Sequence, residues 1–154
     1  MKFLARHTDG SIYTMPDTAI HINKRPFFIP PYADPCLCRI EWALRLSRLG
    51  KNIGRRWAER YYDAVTTVAN IHTPALPPSQ GFGFDDAVSI GEWHPVDEMS
   101  PRQKAEAAAL LGEVSRYFTV RQGDILLLGP QEDDFPVKIG DRIERPPFLA
   151  FNVR

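Results

Sequence analysis

The clearest pattern of hydrophobic and polar positions lies between residues 39 and 49, where the two kinds of side chain alternate. The apolar members are Ile40, Trp42, Leu44 and Leu46. A period of two predicts a β-strand with one face in the core. Arg39 and Glu41 are two positions apart, so they project together from the face opposite Trp42. The polar face of this strand is therefore the first place to look for chemistry.

Short apolar runs elsewhere predict further strands. The runs 3–5 and 12–14 flank Asp9-Gly10, a turn dipeptide that favours a β-hairpin. A second hairpin is expected from the runs 19–22 and 26–29, with Asn23-Lys24 as its turn. The other predicted strands are 64–69, 87–93, 125–128, 142–144 and 148–153.

One long helix and one short helix are predicted. Residues 101–118 follow an N-cap serine, Ser100, with Pro101 at the first helical position and Gln103 completing a capping box. Residues 55–63 are predicted to form a short helix. Segment 72–83 is rich in proline and glycine and is predicted to be a loop. Many short strands, one good helix and fourteen prolines predict a mostly β fold of the α+β class, a sandwich or roll.

Composition narrows the function classes. The 154 residues predict a single domain, 1–154, and a formal net charge of zero argues against a nucleic-acid partner. No apolar run has the length of a membrane span or of a signal-peptide core, so no membrane partner and a cytoplasmic location are expected. Cys36 and Cys38 are too close together for an ordinary disulfide and are expected to be small, reduced core residues.

No catalytic motif is evident from spacing alone. The chain has no glycine-rich phosphate loop, no nucleophile elbow and no pair of histidines at metal-ligand spacing. Its four histidines are scattered. The adjacent pairs Asp85-Asp86 and Asp133-Asp134 read as solvated side chains.

Several segments nevertheless resemble one family in their order along the chain. They are the runs 25–30, 49–53, 60–66, 83–85, 90–93, 114–119 and 123–126. Together they resemble the fumarylacetoacetate hydrolase superfamily, specifically its C-terminal domain. The resemblance implies a mixed β-sandwich roll, usually paired as a homodimer or with a related subunit. It also implies Mg²⁺ or Mn²⁺ as cofactor and hydrolysis, decarboxylation or tautomerisation of small 2-oxo and β-diketo acids.

The family's metal ligands do not carry over. The first glutamate of its Glu-x-Glu pair is Arg39 here, the second is Glu41, and the aspartate of the third ligand becomes Asn70, with Ile71 as the alternative alignment. A guanidinium in place of a carboxylate changes the interaction with a divalent ion by several kcal/mol in the wrong direction, taking roughly 4 kcal/mol per unit-charge pair. No metal is therefore expected, although Glu41 and Asn70 keep the positions of two ligands.

Other departures from the family pattern also argue against the family's metal chemistry. The family's lysine falls near Gly81 or Phe82, and its Gly-Thr-Pro has become Gly129-Pro130-Gln131. The segment that carries the family's catalytic lid is contracted to residues 6–10.

Three hypotheses remain. In the first, the chain is a degenerate, non-catalytic member that binds a small carboxylate or oxo acid through Arg39, with Glu41 and Asn70 beside it; a plain surface pair of Arg39 and Glu41 is the structural alternative. In the second, it is an active hydrolase, decarboxylase or tautomerase with an altered site, and His72 is the candidate general base. In the third, it is a partner-binding or regulatory subunit of a related protein.

Overall fold

The computed structural model describes all 154 residues and is built mainly of strands. The strands are β1 (Lys2–Arg6), β2 (Ile12–Pro16), β3 (Ile20–Ile22), β4 (Leu37–Leu46), β5 (Tyr62–His72), β6 (Val88–Ile90), β7 (His94–Pro95), β8 (Ile125–Pro130), β9 (Phe135–Pro136), β10 (Arg142–Arg145) and β11 (Leu149–Asn152). The α-helices are α1 (Pro78–Gly81) and α2 (Pro101–Tyr117), and short 3-10 turns cover Asp17–Ala19, Arg55–Arg60 and Val96–Glu98. The predicted α+β class, mostly β, is confirmed.

Nine strands form one mixed sheet, in the order β2-β1-β8-β4-β5-β6-β3, with β7 beside β5 and β9 beside β4. The remaining pair, β10 and β11, is antiparallel. The chain divides into two compact units, each assembled from three segments. Unit 1 contains residues 1–14, 42–65 and 93–129, and unit 2 contains residues 15–41, 66–92 and 130–154.

Helix α2 is the centre of the core of unit 1. Its first turn is fixed by the predicted capping box, because Gln103 N–H donates to the Ser100 hydroxyl and Ser100 N–H donates to the Gln103 side chain. The buried stripe then includes Ala107, Leu110, Leu111 and Val114. Strand β1, parallel to β8, contributes Leu4 and Leu126 to the same core.

Unit 2 is built from strand pairs whose members are far apart in the sequence. Strand β6 lies between β3, to which it is parallel, and β5, to which it is antiparallel. Strand β9 pairs with the start of β4, with Leu37 opposite Pro136 and Cys38 opposite Phe135. These pairings bring the ends of β4 and β5 and the segment after β8 into one unit.

Three local predictions need correction. The second hairpin is wrong, because β3 pairs with β6 and Phe27 instead forms a parallel bridge with Val153. The short helix is a 3-10 helix that stops at Arg60, since β5 begins at Tyr62. His72 is the last residue of β5 rather than the start of a loop, and the segment that follows contains α1.

The predicted polar face of β4 is not solvated. Arg39 and Glu41 are only 6% and 1% exposed, and Ala43 on the same face is fully buried. Strand β5 is also buried along nearly its whole length. A charged side chain this deep in a protein requires a polar partner, so the contacts of Arg39 and Glu41 determine what the site is.

No helix of the chain has both the length and the apolar character that crossing a membrane requires.

Candidate functional site

The candidate site begins where β4 and β5 run side by side in unit 2. Arg39 and Glu41 share one face of β4, and Asn70 and His72 share one face of β5, because each pair is two residues apart. The Asn70 side-chain amide donates to Glu41 Oε2 at 3.0 Å. The two residues that keep metal-ligand positions in the family resemblance are therefore hydrogen-bonded to each other.

His72 is held on both ring nitrogens. Its Nδ1 lies 3.2 Å from the backbone oxygen of Asn70, and its Nε2 lies 3.1 Å from Oδ2 of Asp134. The Phe82 ring stacks on the imidazole, with 4.4 Å between ring centroids and 8° between ring planes. The His72 side chain is 5% exposed, so the imidazole has little contact with solvent.

The Arg39 guanidinium forms two hydrogen bonds with the same Asp134 carboxylate. Arg39 Nε donates to Oδ1 of Asp134 and Nη2 donates to Oδ2, both at 3.0 Å. Two parallel N–H···O bonds of this kind are the strongest geometry available to an arginine–carboxylate pair. The guanidinium carbon also lies 5.4 Å from the centroid of Phe82, so Phe82 covers both Arg39 and His72.

Backbone contacts fix the segment that carries Asp134 on both sides. Gln131 N–H donates to the backbone oxygen of Ile40 at 2.8 Å, and Phe135 pairs with Cys38 across β9 and β4. Glu132 forms a two-point ion pair with Arg145. The backbone therefore fixes Asp134 beside Arg39, while its side chain remains 27% exposed.

Burial and charge act in opposite directions on the two titratable groups. Burial alone would raise the pKa of Asp134, but the hydrogen bonds from Arg39 and the charges of Arg39 and His72 hold that pKa below its ordinary value. For His72, burial lowers the pKa, and its contacts with Asn70 and Asp134 offset only part of that shift. Near neutral pH the site thus contains an ionised Asp134 and a charged Arg39.

The structure brings all four sequence candidates, Arg39, Glu41, Asn70 and His72, into one polar cluster. One alternative and one interpretation drawn from the sequence are wrong. Arg39 is not part of an exposed surface pair, because it is buried and bound to Asp134. Asp134 is not a purely solvated residue, because Arg39 and His72 hold it.

Sequence reasoning missed Asp134 and Phe82 as members of this cluster. Asp134 is 95 positions from Arg39, and no periodic signal links two such distant residues. A weak signal existed for Phe82, because it falls near the position where the family has a lysine.

These side chains do not fit a divalent cation. Mg²⁺ prefers anionic oxygen ligands in an octahedral arrangement. Here the guanidinium of Arg39 lies in the cluster, bound to Asp134, and the amide N–H of Asn70 is directed at Glu41. Nowhere in the chain do three or more His, Cys, Asp or Glu side chains come together in a group that could hold a metal ion.

Unit 1 has a separate concavity. This open depression of about 480 Å³ lies between α2 and residues 52–55, and Arg55, Gly112 and Arg116 are among the residues that line it. Arg116 lies over the exposed ring of Tyr117. Arg55 and Arg116 are exposed surface cations.

No protein-family model matches the sequence, and no curated protein matches it significantly. Solved structures do match. A protein assigned to the fumarylacetoacetate hydrolase family from Yersinia pestis CO92 is 18% identical, with a TM-score of 0.85 over 99% of this chain and 92% of that chain. A Pseudomonas aeruginosa fumarylpyruvate hydrolase, solved with Mn²⁺ and pyruvate, is 17% identical, with a TM-score of 0.85 over 99% and 89% of the two chains.

A third similar structure is the 5-carboxymethyl-2-hydroxymuconate delta-isomerase of Mycobacterium smegmatis. It is 21% identical, with a TM-score of 0.83, and the match covers 99% of this chain and 76% of that chain. Hydrolases and isomerases are thus both among the structures similar to this one. The chain has the fold of the fumarylacetoacetate hydrolase superfamily.

Proposed function

We propose that this protein is a member of the fumarylacetoacetate hydrolase superfamily that has lost the divalent-metal site and binds a small carboxylate, without catalysis, at Arg39 and His72. The ligand class is a small carboxylate such as a 2-oxo acid. The protein would bind it through the guanidinium of Arg39, as a charge-assisted two-point hydrogen bond, and the imidazole of His72 would add a third contact.

One observation carries the proposal: Arg39 and His72 already hold a carboxylate, that of Asp134, at 3.0 Å and 3.1 Å. Arg39 Nε and Nη2 are buried donors directed at this carboxylate, and His72 Nε2 donates to it when the ring carries a proton on that nitrogen. Buried donors bind an anion more strongly than the same groups in water, because the local dielectric is lower. The site is thus chemically suited to a carboxylate from another molecule.

The loss of the metal is supported by charge. A metal ion at the family position would lie near the Arg39 guanidinium, and two unit charges about 4 Å apart interact by roughly 4 kcal/mol at an effective dielectric of 20. Millimolar binding amounts to only about 4 kcal/mol in total. By the same estimate the single carboxylate of Glu41 gains no more than Arg39 costs, so the two charges leave no net attraction for the ion.

The test is a titration of chelator-stripped protein with oxalate, a mimic of oxo acids, with and without Mg²⁺ and Mn²⁺. The chelator must be dialysed away, since it is itself a polycarboxylate. We expect oxalate binding that does not depend on metal and is lost in Arg39→Ala but kept in Arg116→Ala, the matched surface control. Tight binding of Mg²⁺ or Mn²⁺, enhanced by oxalate, would overturn the proposal.

A metal-free enzyme is the second candidate, and the contact between His72 and Asp134 favours it. A carboxylate that orients an imidazole is a common arrangement for a general base. In this structure, however, both ring nitrogens of His72 face oxygen atoms, so a substrate would have to replace Asp134 first. Turnover of oxaloacetate that disappears in His72→Ala would support the enzyme, and turnover unaffected by that change would reject His72 as its base.

A further inference from the structure

We propose that Asp134 is a built-in ligand of this site and that an external carboxylate binds by displacing it. The inference rests on the proposed function, because it concerns how the same site is regulated. Asp134 would act as an intramolecular competitor, and the affinity of the protein for carboxylates would depend on how often Asp134 releases Arg39.

The geometry supports competition because an external carboxylate would need the donors that Asp134 already uses. Asp134 uses both of its oxygens on Arg39, and one of them also on His72. A carboxylate from solution needs the same donors. The two cannot bind at once, since Arg39 offers one fork of this orientation.

Burial differs sharply between the donors and the acceptor. The side chains of Arg39 and His72 are 7% and 5% exposed, whereas that of Asp134 is 27% exposed. Asp134 therefore lies on the solvent side of the pair. When it turns outward its own charge is hydrated, and an incoming carboxylate supplies the negative charge that the buried Arg39 guanidinium needs.

Release of Asp134 does not require the segment to unfold. Its backbone is fixed on one side by the hydrogen bond between Gln131 and Ile40, and on the other by the pairing of Phe135 with Cys38. Rotation of the Asp134 side chain about its own bonds is enough to turn the carboxylate outward, where the neighbouring Asp133 is already exposed. Exchange is thus a side-chain event, which is fast for a partly exposed residue.

A built-in competitor lowers the apparent affinity in a predictable way. The apparent dissociation constant rises in inverse proportion to the fraction of molecules in which the site is open. If Asp134 occupies the site in about nine molecules of ten, its removal raises the affinity for a carboxylate about tenfold.

The test measures oxalate binding, without metal, by wild type, Asp134→Ala and the matched control Asp133→Ala. We expect Asp134→Ala to bind oxalate at least about tenfold more tightly than wild type, and Asp133→Ala to bind like wild type. Adding Arg39→Ala to Asp134→Ala should abolish the gain. Asp134→Asn, which keeps the shape of the side chain, replaces Asp134→Ala if the latter does not fold.

The outcomes separate the two proposals. Equal affinity in wild type and Asp134→Ala, with Arg39 still required, would overturn the competitor and leave the carboxylate site standing. No oxalate binding by any variant would overturn the carboxylate site and the competitor with it. An equal gain in Asp133→Ala would also overturn the competitor, because it would show a general effect of removing negative charge.

Discussion

Arg39 and Asp134 lie 95 positions apart in the chain and are joined by two hydrogen bonds of 3.0 Å. This pair makes Arg39 one half of an internal ion pair. It also determines the protonation behaviour of the cluster, because Arg39 holds the pKa of Asp134 below its ordinary value.

We expect Asp134→Asn to destabilise the protein by about 1–3 kcal/mol, the range for a hydrogen bond to a charged group in a mostly buried setting. The amide presents N–H groups to Arg39 or His72, where an acceptor is needed. Chemical denaturation measures the change in the free energy of unfolding. Asp133→Asn, an exposed neighbour, should change it by less than about 0.5 kcal/mol; equal effects would argue against the ion pair.

Stability should fall with acidification in two steps. The pKa of His72 is lowered from 6.5 in the folded protein, so the unfolded chain takes up the proton first. Its contribution is present above pH 6.5 and is lost as pH falls through the folded pKa. Folding also lowers the pKa of Asp134. Its contribution to stability is present above its unfolded pKa of 3.8 and is lost as the pH falls below that value.

Denaturation curves between pH 7.5 and pH 4.5, a range chosen to be about one unit or more either side of 6.5, test the first of these steps. His72→Gln should show a smaller fall in unfolding free energy over this range than wild type. An identical slope in both proteins would mean that His72 does not titrate differently on folding.

Two glycines should respond in opposite directions to alanine. A Cβ on Gly91 would lie 2.6 Å from the backbone oxygen of Phe148 and 2.8 Å from that of Thr67, so Gly91→Ala should cost about 1–3 kcal/mol. A Cβ on Gly112, inside α2, would meet its nearest neighbours at 3.5 Å, and alanine there should stabilise the helix by about 1 kcal/mol. Thermal melts of both variants test the contrast, and destabilisation by Gly112→Ala would contradict it.

Tyr62 should make the protein sensitive to alkali. Burial raises its pKa to about 12, and its buried hydroxyl has no hydrogen-bond partner. The unfolded chain loses the proton near pH 10, so stability should decrease as pH rises from 10 towards 12. In Tyr62→Phe this part of the decrease should vanish, with unchanged or higher stability at neutral pH, because an unpaired buried hydroxyl is removed.

The two cysteines should be inert in the native protein. Both are buried free thiols, burial raises the pKa of Cys36 to about 11, and the pKa of Cys38 is raised further. Since the thiolate is the reactive form, a thiol reagent at neutral pH should modify both cysteines only after denaturation. Rapid labelling of the native protein would show that the start of β4 or the residue before it opens.

The sequence predicted what local patterns encode. The capping box at Ser100 gave the start of α2, and alternation gave β4, since both signals lie within a few residues. The second hairpin was wrong because β3 pairs with β6, nearly seventy positions away, and short apolar runs do not specify their partners. The resemblance singled out Arg39, Glu41 and Asn70, and His72 was the candidate base; the structure places the four in one cluster, and their role stays a prediction. The carboxylate bound to Arg39, that of Asp134, comes from a pair that the sequence analysis interpreted as solvated.

The division of each unit into three segments also determines when, during synthesis, the residues of the site become available. Unit 2 is completed only by residues 130–154, so Arg39 is translated well before the carboxylate that neutralises it. At about 5–20 residues per second, 95 residues correspond to roughly 5 to 20 s. During that interval the Asp134 carboxylate is not yet present, so the buried cluster of unit 2 can form only after its last segment has been made.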